Sequence, residues 1–148
     1  MVDGAGVAPT GYVADDEFLY RRVLPHYIDW ETNPPEPASE AFFDRDFRIS
    51  VDRAELRGYD PSYTQGGSSN CVCCLLTRSV RKIDEVVKGD SKGGVAMQHN
   101  VDVEPVPLPD NVAHAEIFAV PHISNDRLFR RLRHALKRLS SWEQGIAP

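Results

Sequence analysis

Apolar positions along the chain alternate with polar ones in several short runs and repeat at helical spacing in one long run near the end. The most apolar stretch lies within Asn70 to Val80, where six residues in a row, Cys71 to Leu76, carry no charge. A short continuous apolar run bounded by turn formers predicts a strand buried on both faces. Gly66-Gly67-Ser68-Ser69 supplies the turn before it, and Arg78, Arg81 and Lys82 mark the return to solvent.

Other strands are predicted by alternation. Phe18, Tyr20 and Leu24 share one face of a first strand that Pro25 stops. Phe47, Ile49 and Val51 point inward while Arg48 and Ser50 point out. Val95, Met97, Val101 and Val103 fall on one face, with His99 among them, and Ala113 to Val120 reads as the last strand. Between these runs, Asp52 is placed to cap a short helix over Arg53 to Arg57, which Gly58 ends. Ser39 is placed to cap one turn through Phe43, and Ile83, Val86 and Val87 sit at helical spacing. Pro34, Pro35 and Pro37, and later Pro105, Pro107 and Pro109, predict extended chain.

The last element has the clearest period. Ser124 is placed to cap a helix over Asn125 to Trp142. Leu128, Leu132, Ala135, Leu136 and Leu139 form one stripe, and the other faces hold cations. Together the elements predict an α+β fold. A mixed or mainly antiparallel sheet of four to five strands carries a C-terminal amphipathic basic helix on one face, with the Asn70–Val80 strand interior. The expected organisation is a flexible arm over residues 1–14, one domain over 15–142 and a frayed end over 143–148.

Composition narrows the class. A chain of 148 residues with 41% apolar content suits one domain with a core of its own. No run of eighteen apolar residues offers a membrane span, and the N-terminus lacks the basic start and apolar centre of a secretory signal. Three cysteines, two of them adjacent, argue against a disulfide framework and for the reducing cytoplasm. The net charge of −5 conceals a division: residues 1–126 carry 11 Lys/Arg and 21 Asp/Glu, and residues 127–148 carry 6 and 1. An acidic body therefore precedes a basic tail.

Candidate chemistry is sparse. Cys71, Cys73 and Cys74 lack zinc-ligand spacing, and on a strand they cannot converge on one ion, so buried thiols are expected. His114 and Glu116 share a strand face about 7 Å apart, which suits an acid/base pair, two ligands of a metal or the wet face of an edge strand. His99, on an apolar face, reads as a hydrogen-bonded histidine beside the core. Phosphate-loop, His-Glu-x-x-His and Gly-x-Ser-x-Gly motifs are absent. The order Arg21-Arg22, Ser39, Glu116 resembles the scattered triad of ADP-ribosyltransferases, in which an arginine and a serine help hold a dinucleotide and a glutamate orients the nucleophile. The Ser-Thr-Ser and Glu-x-Glu motifs of that family are missing here, so the resemblance assigns no site residue. No cofactor and no metal is expected.

Charge segregation carries the partner reading. Arg130, Arg131, Arg133, Lys137 and Arg138 on the last helix are the expected contacts with an acidic protein partner, as in a small cytoplasmic accessory or regulatory subunit. The same cations suit nucleic-acid phosphate, although the acidic body repels it, or the chain's own acidic groups. An enzyme acting on a nucleotide or similar substrate through His114 and Glu116 is the alternative. Oligomeric state is not legible.

Overall fold

The computed structural model describes residues 11–148; the predicted arm over residues 1–10 lies outside them. In chain order the strands are β1 (Phe18–Val23), β2 (Ile28–Asp29), β3 (Glu36–Pro37), β4 (Ile49–Arg53), β5 (Cys71–Leu76), β6 (Val87–Gly89), β7 (Val95–Gln98), β8 (Asn100–Pro105), β9 (His114–Val120) and β10 (Ser141–Trp142). The helices are α1 (Ser62–Gln65), α2 (Thr77–Arg81) and α3 (Asp126–Leu139). The main sheet has six strands in the order β10-β5-β1-β4-β9-β8, and every pairing is antiparallel. Two further ribbons pair β2 with β3 and β6 with β7. The α+β class is as expected, but the sheet exceeds the four to five strands predicted. One addition is β10, a two-residue strand that pairs Ser141 with Cys74 and Trp142 with Cys73. Two residues carry no period to read.

One face of the sheet is the core. Leu19, Ile49, Val51, Cys73, Leu75, Ala115 and Ile117 are buried there with Leu128, Phe129, Leu132, Ala135 and Leu136 of α3. Each fully buried Leu, Ile or Phe contributes about 1.5–3 kcal/mol by leaving water. Asn125 caps α3, its side chain accepting from Leu128 N at 2.9 Å, in place of the predicted Ser124. The helix ends at Leu139, short of the predicted Trp142, because Ser140 is extended and the chain enters β10.

The apolar run Cys71–Leu76 is a strand bonded on both sides, by β1 and β10. Cys73 and Leu75 face the core, while Val72 is buried on the opposite face with Tyr20 and Ala54, beside Ile146. The predicted strand to Val80 stops at Leu76, because Thr77 N bonds back to Glu17 O and the chain turns into α2. That turn sends Arg81 to Asp15 and Asp102, at 2.7 Å each.

Three further predictions change. The stretch Val95 to Val103 splits at His99, which is buried and places Nδ1 2.5 Å from Pro121 O, while His99 N bonds Val86 O. Beyond that pin β7 leaves the sheet, so Val95 and Met97 are exposed and Val101 and Val103 are buried. Asp52 lies within β4 and caps no helix; Glu55–Arg57 forms a short 3-10 turn that Gly58 ends at φ 61°. Ile83 and Val86 are buried in irregular chain, with no helix around them. At the other end, Glu143 N bonds Val72 O and Ile146 O accepts from Val72 N, so the final residues run back along β5.

A buried ion pair holds the start of β1. Arg53 donates to Glu17 at 2.8 and 2.7 Å and to the carbonyls of Gly11 and Tyr12. Burial alone raises the Glu17 carboxyl, but its hydrogen bonds from Arg53 and Ala14 N and the nearby charge hold it below its usual value.

Candidate functional site

The face of the sheet opposite α3 carries a cavity of about 400 Å³. β1 contributes Tyr20 and Arg22, β4 contributes Ser50 and Asp52, and β9 contributes His114. Period-2 geometry puts these side chains on one face while Leu19, Val51 and Ala115 enter the core. Leu24 and Tyr27 follow β1, Tyr63 and Thr64 come from α1, and Asn111 comes from the hairpin between β8 and β9.

A hydrogen-bond network stiffens one wall. The buried Asp52 carboxylate accepts from Thr64 Oγ1 at 2.6 Å and from Asn111 Nδ2 at 2.9 Å. Arg57 Nε lies 3.8 Å from the same carboxylate, and Arg57 also donates to Asn111 Oδ1. The Arg57 guanidinium covers the Tyr63 ring, 3.5 Å from its centroid, and Tyr63 OH donates to Asp110 O at 3.3 Å. β4, the 3-10 turn, α1 and the hairpin before β9 are thereby joined through polar atoms. Asp52 is fully engaged in this wall.

Arg22 stands differently. Its Nε donates to Thr64 O at 2.7 Å, and among the described residues its guanidinium makes no ion pair. Arg21, its neighbour, is consumed by structure: it donates to Ala41 O, Ser50 O and Phe43 O and pairs with Asp44 at 3.0 Å. Arg22 is thus the uncommitted cation of the cavity.

His114 Nδ1 lies 2.9 Å from Val106 O. A carbonyl only accepts, so Nδ1 carries the proton and neutral His114 keeps its lone pair on Nε2. Tyr20 is pushed up to about 12, first by burial and then by the Glu143 charge, so its hydroxyl keeps its proton.

His114 and Glu116 do project from one face of β9, but they enter different environments. Glu116 accepts from Arg48 Nε at 2.5 Å, and the same guanidinium donates to Glu104 and lies 4.7 Å from the Phe118 centroid. Glu116 does not line the cavity. β9 is also an inner strand between β4 and β8, not an edge. Of the Arg, Ser, Glu order, Arg21 and Arg22 line the cavity. Ser39 is buried with its hydroxyl on Glu40, and Glu116 belongs to the Arg48 cluster.

The helix cations are mostly occupied by the chain itself. Lys137 pairs with Glu36 at 2.9 Å, Arg138 pairs with Glu85, and Arg131 donates to Val87 O at 2.9 Å. Arg133 is half-buried, its guanidinium 5.7 Å from the Phe43 centroid and 5.5 Å from that of Phe129. Burial lowers its affinity for the proton. Arg127 and Arg130 are exposed and make no ion pair among the described residues.

The thiols sit in unreactive surroundings. Burial pushes Cys73 up to about 12, and burial with the Glu143 carboxylate does the same for Cys74; Cys71 is also raised by burial. Among the described residues no group of three His, Cys, Asp or Glu side chains could hold a metal ion, and no helix is long and apolar enough to cross a membrane. Comparison with protein-family models, curated proteins and solved structures gives no match for this chain.

The cavity was not legible as a whole. The alternation of a histidine and a glutamate on one strand marks His114 in the sequence. Ser50 and Thr64 carry no local signal, since only sheet register and the fold of α1 bring them beside Arg22 and Asn111.

Proposed function

We propose that this protein binds a small anionic ligand in the open-face cavity and uses His114 as a proton acceptor or hydrogen-bond acceptor toward it. One observation carries this reading: Arg22 and His114 line the same cavity, and among the described residues Arg22 has only a backbone carbonyl as partner. A guanidinium with free N–H groups at a concave surface is a natural anion holder. His114 Nδ1 donates to Val106 O, so in the neutral ring Nε2 is the acceptor. Glu116 has no part in the site on this reading; it keeps Arg48 in place.

Inorganic phosphate is the probe. Titration calorimetry should show saturable binding, and Arg22→Gln should weaken it about tenfold, the value of one charge-assisted hydrogen-bond contact. The ¹⁵N resonance of His114 Nε2 should move on saturation. Absence of saturable binding, or unchanged affinity in Arg22→Gln, rules the reading out.

A second reading keeps α3 as a docking surface for an acidic protein. It is favoured by Arg127 and Arg130, whose guanidinium groups are exposed and unpaired among the described residues. Reversing both charges should abolish capture of an acidic partner at moderate salt while leaving phosphate binding in the cavity intact.

A further inference from the structure

We infer that the ligand of the cavity carries an aromatic ring joined to its anionic group, with the ring laid against Tyr63. This rests on the anion-binding reading above and goes further by naming the class of molecule.

The argument starts from volume. A bare inorganic anion at Arg22 would leave most of the roughly 400 Å³ unfilled. That volume lies in the range of sites that enclose whole small molecules, about 300–1,000 Å³. The remaining lining is not uniformly polar. Tyr20, Leu24, Tyr27 and Tyr63 border the cavity, three of them aromatic rings. Water filling such a space is poorly held against apolar surface, and a flat apolar body displaces it favourably.

Tyr63 is singled out by its geometry. Arg57 covers one face of the ring at 3.5 Å, and the Tyr63 hydroxyl is tied to Asp110 O. Arg57 is in turn fixed by Asn111 and lies beside Asp52. The ring is therefore held from behind and at its tip. Its other face has no aromatic or cationic partner among the described residues, and the residue is half exposed at the cavity. A held ring with one open face loses little conformational freedom when a second ring stacks on it. Arg22, on the neighbouring strand surface, then meets the anionic substituent.

The experiment compares three probes by calorimetry: inorganic phosphate, phenyl phosphate and cyclohexyl phosphate. Wild-type protein should bind phenyl phosphate about tenfold tighter than inorganic phosphate, and tighter than cyclohexyl phosphate, because stacking adds to area burial. Tyr63→Leu keeps apolar contact without a ring face; it should lose the preference for phenyl over cyclohexyl phosphate. Arg22→Gln should weaken all three. Equal binding of inorganic and phenyl phosphate overturns this inference and leaves the anion site standing. Equal binding of phenyl and cyclohexyl phosphate, or a phenyl preference that survives in Tyr63→Leu, also overturns it. Failure of every probe to bind overturns the anion reading together with it.

Discussion

At the scale of single residues, the arginines divide by what their guanidinium groups touch. Arg53 is buried and fully satisfied, with a bidentate carboxylate and two carbonyls. Arg21 pins Asp44 and three carbonyls. Arg22 donates to Thr64 O and makes no ion pair among the described residues. The Arg53–Glu17 pair gives the sharpest test of this division, since removing one partner of a buried pair costs about 3–5 kcal/mol. Glu17→Gln should therefore lower unfolding free energy by about 3 kcal/mol near neutral pH, measured by chemical denaturation. The pH dependence has a definite sign. The folded carboxyl sits below its usual 4.5, so the unfolded chain binds the extra proton first as pH falls. The contribution of Glu17 is complete above about pH 4.5 and is lost as pH falls through the folded value. Wild type and Glu17→Gln should differ by a constant amount above about pH 4.5 and converge as pH falls below it; a difference that stays constant through acid would show that Glu17 has no depressed carboxyl.

At the scale of elements, two glycines frame the segment that walls the cavity. Gly58 and Gly66 both have positive φ, 61° and 69°, where a side chain costs about 1–2 kcal/mol. Their surroundings differ. A Cβ on Gly58 would meet nothing within 4 Å, while one on Gly66 would lie 2.5 Å from Arg22 Nη2 and 2.7 Å from its Cζ. Gly58→Ala should cost that backbone strain and leave phosphate affinity unchanged. Gly66→Ala should cost a similar amount and also displace Arg22, lowering phosphate affinity several-fold. Equal affinity in the two variants would show that Arg22 is not held at the cavity by the α1 turn.

The same scale explains what could be read in advance. The run Cys71–Leu76 and the leucine stripe of α3 were legible because burial on a sheet or helix imposes a period, and the period survives in the sequence. The split at His99 was not, because alternation continues unbroken through Val101 and Val103 while the cause, a bond to Pro121 O, lies elsewhere in the chain. Thr77 shows the same limit: nothing local ends the β5 strand there, and the determinant is Glu17 O. His114 and Arg22 each sit on strands that alternation marks, yet their meeting depends on the register of β1, β4 and β9. Arg53 and Glu17 read as ordinary surface charges until the fold buries them.

At the scale of the whole molecule, the sheet separates two tasks. Its core face, with α3, carries the bulk of the apolar burial, and its opposite face carries the cavity. Most residues differ between the faces because successive side chains of a strand point to opposite sides, although Val51 and Ala41 of the core also border the cavity. Damage to one face should then leave the other working, as long as the fold persists. Leu132 is fully buried in α3 among the core residues, and truncating such a leucine costs about 2–5 kcal/mol through lost transfer energy and the space left behind. Leu132→Ala should lower the denaturation midpoint accordingly, yet bind phosphate with wild-type affinity at temperatures where it stays folded. Arg22→Gln removes one hydrogen bond to Thr64 O from an exposed side chain, so its unfolding free energy should fall by no more than about 1 kcal/mol while phosphate affinity drops. Calorimetric titration and denaturation on the same two proteins measure both quantities. Loss of phosphate affinity in folded Leu132→Ala would mean that α3 and the cavity are coupled through the sheet, and the division of labour between its faces would fail.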